Sequence, residues 1–96
     1  MDQNMIRKMQ KMQKELQEKQ EEFMEREFSF SKHGVHVSAK GSKKITSIEI
    51  EDKDLLDPED PEILQDVILL VINELFETID NELAAIMPAM PGGLGF

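Results

Sequence analysis

Residues 67 to 76 read VILLVINELF, and a helix drawn through them is apolar on every side. The start of such a helix is written just upstream. Asp60-Pro61-Glu62 supplies a favoured N-cap residue, a proline at the first helical position and an acid in the first turn. Pro61 also biases Asp60 away from helical angles. The apolar positions continue through Ile63, Leu64, Val67, Ile68, Leu69, Leu70, Val71, Ile72, Leu75, Phe76, Ile79, Leu83 and Ile86, and Pro88 marks the stop. A helix apolar all round must be covered all round. The unbroken run at residues 67–72 is far too short to cross a bilayer, so the cover must be protein.

The remainder of the chain supplies only part of that cover. Residues 2–27 predict one long helix of good helix formers. Met5, Met9, Met12, Leu16 and Phe23 follow spacings of four, three, four and seven, a heptad seam with Lys19 in the vacant slot. One narrow stripe is apolar and the rest faces water. The period then changes to two: Phe28 and Phe30 alternate with Ser29 and Ser31, Val35 and Val37 with His36 and Ser38, Ile48 and Ile50 with Ser47 and Glu49. Turn signals at Lys32-His33-Gly34 and Lys40-Gly41-Ser42-Lys43 separate three short antiparallel strands with one buried face. A three-stranded sheet and one narrow stripe cannot wrap the second helix, which points to a second copy of the chain.

The chain has 96 residues, enough for one domain, and 40% apolar with 32% charged residues places it among globular rather than disordered sequences. Five Phe with no Trp or Tyr leave an aliphatic, methionine-rich core. Residues 1–87 are expected to form the domain, and the Pro- and Gly-rich residues 88–96 a mobile tail. The absence of cysteine excludes disulfides, zinc-thiolate sites and thiol nucleophiles. With no apolar signal stretch at the start, a cytoplasmic location is expected.

Charge is split along the chain. Residues 1–44 hold ten Lys/Arg against seven Asp/Glu, a net of +3, and residues 45–96 hold one against thirteen, a net of -12. Arg7, Lys8, Lys11 and Lys14 cluster on the first helix, while acids gather at its C-terminal end, the reverse of what the helix dipole prefers. Lys40, Lys43 and Lys44 cluster in the second hairpin. Such lysines reach phosphates without reading bases. Other chemistry is poorly supplied. His33 and His36, three apart in a turn and strand, point to opposite faces and do not make a metal pair. The acidic loop from Asp52 fails the calcium template, with Asp57 at the sixth position and Ile63 at the twelfth. No Ser-His-acid spacing or phosphate loop stands out.

The ordered set MQKMQKELQ, VHVSAKG, ITSIEIEDKDLL, DPEDPEILQDVILLVINEL and GGLGF resembles the YbaB/EbfC family of nucleoid-associated proteins. The matching positions include Val35, Val37 and Gly41 in the second strand, Ile48, Ile50, Leu55 and Leu56 in the third strand and its exit, and Glu62, Leu64, Asp66 and Asn73 in the second helix. The resemblance spans nearly the whole chain. It implies an α+β fold, α-β-β-β-α, as an intertwined homodimer with projecting helical arms. It also implies double-stranded DNA binding with little sequence preference on the bacterial nucleoid, with no catalysis, cofactor, membrane or small-molecule substrate.

Three departures matter. The link between the first two strands shrinks to Lys32-His33-Gly34, which predicts a tighter hairpin. Leu69, Leu70 and Val71 replace small residues, which predicts a bulkier dimer interface. Glu77 and Asp80 stand where basic residues are usual. The expected DNA contacts are Arg7, Lys8, Lys11, Lys14, Lys40, Lys43 and Lys44, and the expected dimer interface comprises Val35, Val37, Ile48, Ile50, Ile68, Leu69, Ile72, Leu75 and Phe76. The competing expectation is a dimeric protein-interaction scaffold that uses the methionine seam and has lost DNA binding.

Overall fold

A computed structural model describes residues 2–87, so the expected tail at 88–96 lies outside the described residues. The order is α1 (Gln3–Glu25), β1 (Glu27–Lys32), β2 (Val35–Lys40), β3 (Ile45–Ile50), a short 3-10 turn (Lys53–Leu55) and α2 (Pro61–Ile86). The sheet is antiparallel in the order β1-β2-β3. This is the expected α-β-β-β-α chain, and it is elongated, 70 × 24 × 14 Å.

α1 begins at Asp2, whose Oδ1 accepts from the Asn4 backbone N–H at 3.0 Å. It ends at Arg26, which turns extended (φ -68°, ψ 137°) and leads straight into β1. A helix of 23 residues is about 35 Å long. Phe23 alone of α1 is fully buried; Met5, Met9 and Met12 are half or more exposed, at 56%, 50% and 61%. The helix is therefore an arm rooted at one end. At α2, Asp60 occupies the expected cap position but makes no side-chain cap hydrogen bond, so the start rests on Pro61 and Glu62.

β1 and β2 join through His33 (φ 54°) and Gly34 (φ 80°), both left-handed, the pair of angles a tight two-residue hairpin needs. The hairpin is as short as the sequence predicts. The core lies between the sheet and α2: Val35, Val37 and Ala39 from β2, Val71, Leu75 and Ile79 from one stripe of α2, and Phe23 from the arm. α2 crosses β1 and β2. Ile48 and Ile50 lie opposite Val37 and Val35, so they share the inner face, but Ile48 remains 47% exposed at the uncovered β3 edge. Leu69 and Leu70 are exposed on α2 as well.

The arm is fixed by a close approach at Gly41. Its N–H donates to the Arg26 carbonyl at 2.8 Å, and the Ser42 N–H donates to the Met24 carbonyl at 3.3 Å. A Cβ on Gly41 would collide with the Phe23 carbonyl and sit 2.7 Å from a Phe23 ring carbon. Gly41→Ala is therefore expected to cost about 1–3 kcal/mol of folding stability through forced backbone movement. Urea denaturation followed by circular dichroism measures this, and an unchanged midpoint would show that the junction yields freely.

Candidate nucleic-acid interface

The two lysine clusters meet different electrostatic surroundings. On α1, Arg7, Lys11 and Lys14 follow i, i+4, i+7 and share a face, with Lys8 beside them. All four are exposed, and none takes part in an ion pair among the described residues. Four cations within about two turns, on a helix that projects from the body, form a surface ready to meet phosphates.

The hairpin cluster is partly spent. Lys40 Nζ donates to Glu25 Oε2 at 2.9 Å. Lys43, itself left-handed (φ 69°), reaches Asp80 Oδ1 at 2.7 Å and lies 5.7 Å from the Phe76 ring centroid. Lys44 has no ion pair among the described residues. Asp80 thus both adds negative charge to α2 and engages a lysine of the hairpin.

This pairing recurs along α2. Arg26 Nη2 lies 3.4 Å from Glu82 Oε2, and Lys32 Nζ lies 3.7 Å from Glu74 Oε1. The Arg26 guanidinium also sits 4.5 Å from the Phe28 ring centroid and 5.8 Å from that of Phe23. Glu74, Asp80 and Glu82 of α2 therefore face cations of the sheet, its second hairpin and the arm root. Each pair is solvent-accessible and contributes little by itself, but together they engage Arg26, Lys32, Lys40 and Lys43 of the body and arm root, while the four clustered cations of the outer arm have no ion pair among the described residues.

Glu25 shows the local effect. The hydrogen bond from Lys40, then the Lys40 charge, holds its carboxyl below the ordinary range; Lys44 adds a smaller pull and slight desolvation opposes it. Because the folded-state pKa is depressed, the tether is complete above the ordinary carboxylate pKa and is lost as pH falls through the depressed value. Lys40→Met is expected to return the Glu25 midpoint upward to the ordinary range, as read by carboxyl-carbon NMR titration. An unmoved midpoint would remove Lys40 as the cause.

The outer face of the sheet holds an arrangement that sequence spacing does not reveal. His36 Nε2 lies 2.6 Å from Glu51 Oε2, and its Nδ1 contacts Ser31 Oγ. With the proton on Nε2, the ring donates to Glu51 and accepts from the Ser31 hydroxyl. Ser31 and His36 are direct cross-strand partners, and Glu51 follows β3. The signal lies in strand register: residues 5 and 15 positions apart meet only once the sheet is paired. All three are at or near the surface, where the chain of hydrogen bonds ties the strands together. Among the described residues no group of three or more His, Cys, Asp or Glu is placed to hold a metal ion.

The expected interface residues fall into two sets. Val35, Val37 and Leu75 are fully buried inside this single chain. Ile48 and Leu69 are exposed, while Ile50, Ile68, Ile72 and Phe76 are half-buried.

A small α+β body that projects a helical arm with a basic outer half defines a class of protein that presents charge on an extended helix. The YbaB/EbfC DNA-binding family model matches residues 1–94, and the chain belongs to that family. A nucleoid-associated protein of Clostridium novyi is 45% identical over 93 residues, covering 95% of this chain and 81% of that protein. One from Metamycoplasma arthritidis is 41% identical over 78 residues, covering 81% of each. The fold matches that of an uncharacterized Helicobacter pylori protein with a TM-score of 0.71 at 21% identity, over 90% of this chain and 92% of that one.

Proposed function

We propose that this chain is a non-enzymatic nucleoid-associated protein that binds double-stranded DNA as a homodimer, with little sequence preference. The observation that carries the reading is the unmatched cation cluster of the arm. Arg7, Lys8, Lys11 and Lys14 contact backbone phosphates, which position a protein on the duplex but carry no sequence information. Lys44 assists, while Lys40 and Lys43 contribute less because Glu25 and Asp80 engage them. Acidic α2 repels DNA from the body and confines contact to the arms. The family membership and the nucleoid-associated relatives support the same reading, and they favour a nucleoid location.

Surface left uncovered supports the homodimer. Ile48 of β3 and Leu69 of α2 stand exposed beside half-buried Ile50, Ile68, Ile72 and Phe76. A chain of this size, with seven fully buried core side chains among the described residues, gains from burying that face against a copy of itself. Val35, Val37 and Leu75 support the interface from beneath.

Neutralising the arm with Arg7, Lys8, Lys11 and Lys14 all replaced by Gln is expected to weaken binding to a random-sequence duplex. It should also flatten the logarithmic salt slope by about 0.9 for each phosphate that the arm no longer neutralises. Fluorescence anisotropy across a salt series measures both, and unchanged affinity would transfer weight to the scaffold reading, which the exposed Met5, Met9 and Met12 favour. Asp80→Asn frees Lys43 and removes a negative charge, so it is expected to tighten DNA binding about two- to fivefold. A looser complex in the same assay would exclude Lys43 from the contact surface.

A further inference from the structure

The methionine seam of the arm is not used by phosphate contact, and its sequence is self-complementary in one orientation. With Met9, Leu16 and Phe23 at heptad position a, and Met5, Met12 and Lys19 at d, Asp2 is also an a position. Lay a second arm antiparallel so that Met9 meets the copy's Met12. Met5 then meets Leu16, and Asp2 meets Lys19. The flanking g positions bring Lys8 against Glu15, and symmetry repeats every contact. The one polar break in the seam thus finds an opposite charge.

Other arrangements fail on the same residues. A parallel pair stacks Lys19 on Lys19 and Asp2 on Asp2. An antiparallel pair shifted one heptad outward sets Lys8 against Lys8. Shifted one heptad inward, it sets Glu15 against Glu15 and demands Phe23, which is already buried in the body. The favoured register overlaps residues 2–19 of each arm, about 27 Å, and leaves the buried Phe23 out of the seam.

The structure also shapes a seat for the incoming helix. An open groove runs beside the seam, walled by Met12, Leu16 and Lys19 on α1 and by Ile86 and Met87 at the end of α2. It continues past Lys19 to Arg26. The copy's Met5 falls at its apolar part, and the copy's Asp2 at Lys19. One Asp2 oxygen caps its own helix through the Asn4 N–H, which leaves the other to meet the cation.

We propose that the arms pair antiparallel with arms of a second copy, through this seam and in this register. Antiparallel arms place the two bodies at opposite ends, so the contact joins separate body units. The arm contact does not require the body homodimer. The consequence that dimers link into longer assemblies does rest on that reading, because each dimer then offers two arms. Arg7, Lys11 and Lys14 occupy f and c positions, which face away from the seam, so a paired arm still presents them.

The test is sedimentation equilibrium of the full chain without DNA over a wide concentration range. Wild-type mass is expected to rise beyond the body unit. Lys8→Glu and Glu15→Lys should each weaken that association about tenfold, since each turns two attractions into two repulsions, and the double variant should restore it. Met9→Gln with Met12→Gln should abolish it, with circular dichroism confirming an intact fold. Failure of the double variant to restore association, or indifference to the methionine pair, overturns the proposal. Orientation is read from spin labels on the cysteine-free chain. Labels at Gln10→Cys should lie close across the pair, while labels at Gln3→Cys should be separated by about 22 Å along the axis. Close labels at both sites would mean parallel arms and overturn the register. If association starts from a monomer and stops at a dimer that the seam variants dissolve, the arm contact stands and the body homodimer fails. If a dimer persists and never grows, the reverse holds.

Discussion

The orientation of the arm depends on the packing of Phe23 against Gly41. Phe23 is the arm's only fully buried side chain, and it is held from three directions. Gly41 lies against its carbonyl and ring, the Phe28 ring sits 5.3 Å away at a 49° tilt, and Arg26 approaches both rings. Arg26 passes the chain from helix to strand without a loop, so the direction of α1 is set by the sheet rather than by a hinge. The rest of the arm has little contact with the body. A rigid root and a free shaft let a small core direct a lever about 35 Å long, and the lever carries the cations away from the acidic body.

That separation resolves the charge split. Three of the six acids of α2, Glu74, Asp80 and Glu82, are matched by Lys32, Lys43 and Arg26, and Glu25 is matched by Lys40. A chain of formal charge -9 can offer a phosphate surface because its negative charge near the body is locally compensated or remote from the arm tip, and screening limits its reach to about 10 Å. Net charge governs solubility and long-range repulsion. Contact is governed by which cations remain unmatched.

Much of the fold was legible because its periodicities are clean. The heptad spacing from Met5 to Phe23 specified α1, the alternation around Val35 and Val37 specified a half-buried strand, and Asp60-Pro61-Glu62 placed the start of α2 to the residue. The all-round apolar character of α2 was also informative, since Leu69 and Leu70 remain uncovered in the single chain. What escaped depended on register and side-chain reach. The irregularity between Ser38 and Ala39 shifts the β2-β3 pairing and brings Ala39 opposite Ile45, yet no residue type announces it. Ser31, His36 and Glu51 meet only because three strands align. The engagement of Lys43 by Asp80 joins a hairpin tip to a helix 37 positions later, a distance at which spacing carries no information. The sequence shows that Lys40, Lys43 and Lys44 cluster in the hairpin, but not that Glu25 and Asp80 engage two of them. Likewise, Val35 and Val37 share an apolar pattern with Ile48 and Ile50, and only the placement of α2 separates core from exposed edge.

The arm's sequence separates two demands by heptad position. Methionine at a and d gives a seam that is apolar but adaptable, because its unbranched side chain fits irregular surfaces. Arginine and lysine at f and c give a polar back that stays in water when the seam is covered. Lys8 alone among the arm's clustered cations borders both surfaces. Phosphate contact and arm pairing therefore compete for one residue rather than four, and an arm engaged through its seam keeps most of its positive face. A helix serving only as a phosphate contact has no need of a spaced methionine stripe, and one serving only as a coiled coil has no need of three unmatched cations on its back. Their coexistence on one exposed helix, with a charge complement at the single break in the seam, is the ground for proposing both DNA contact and self-association of the arm.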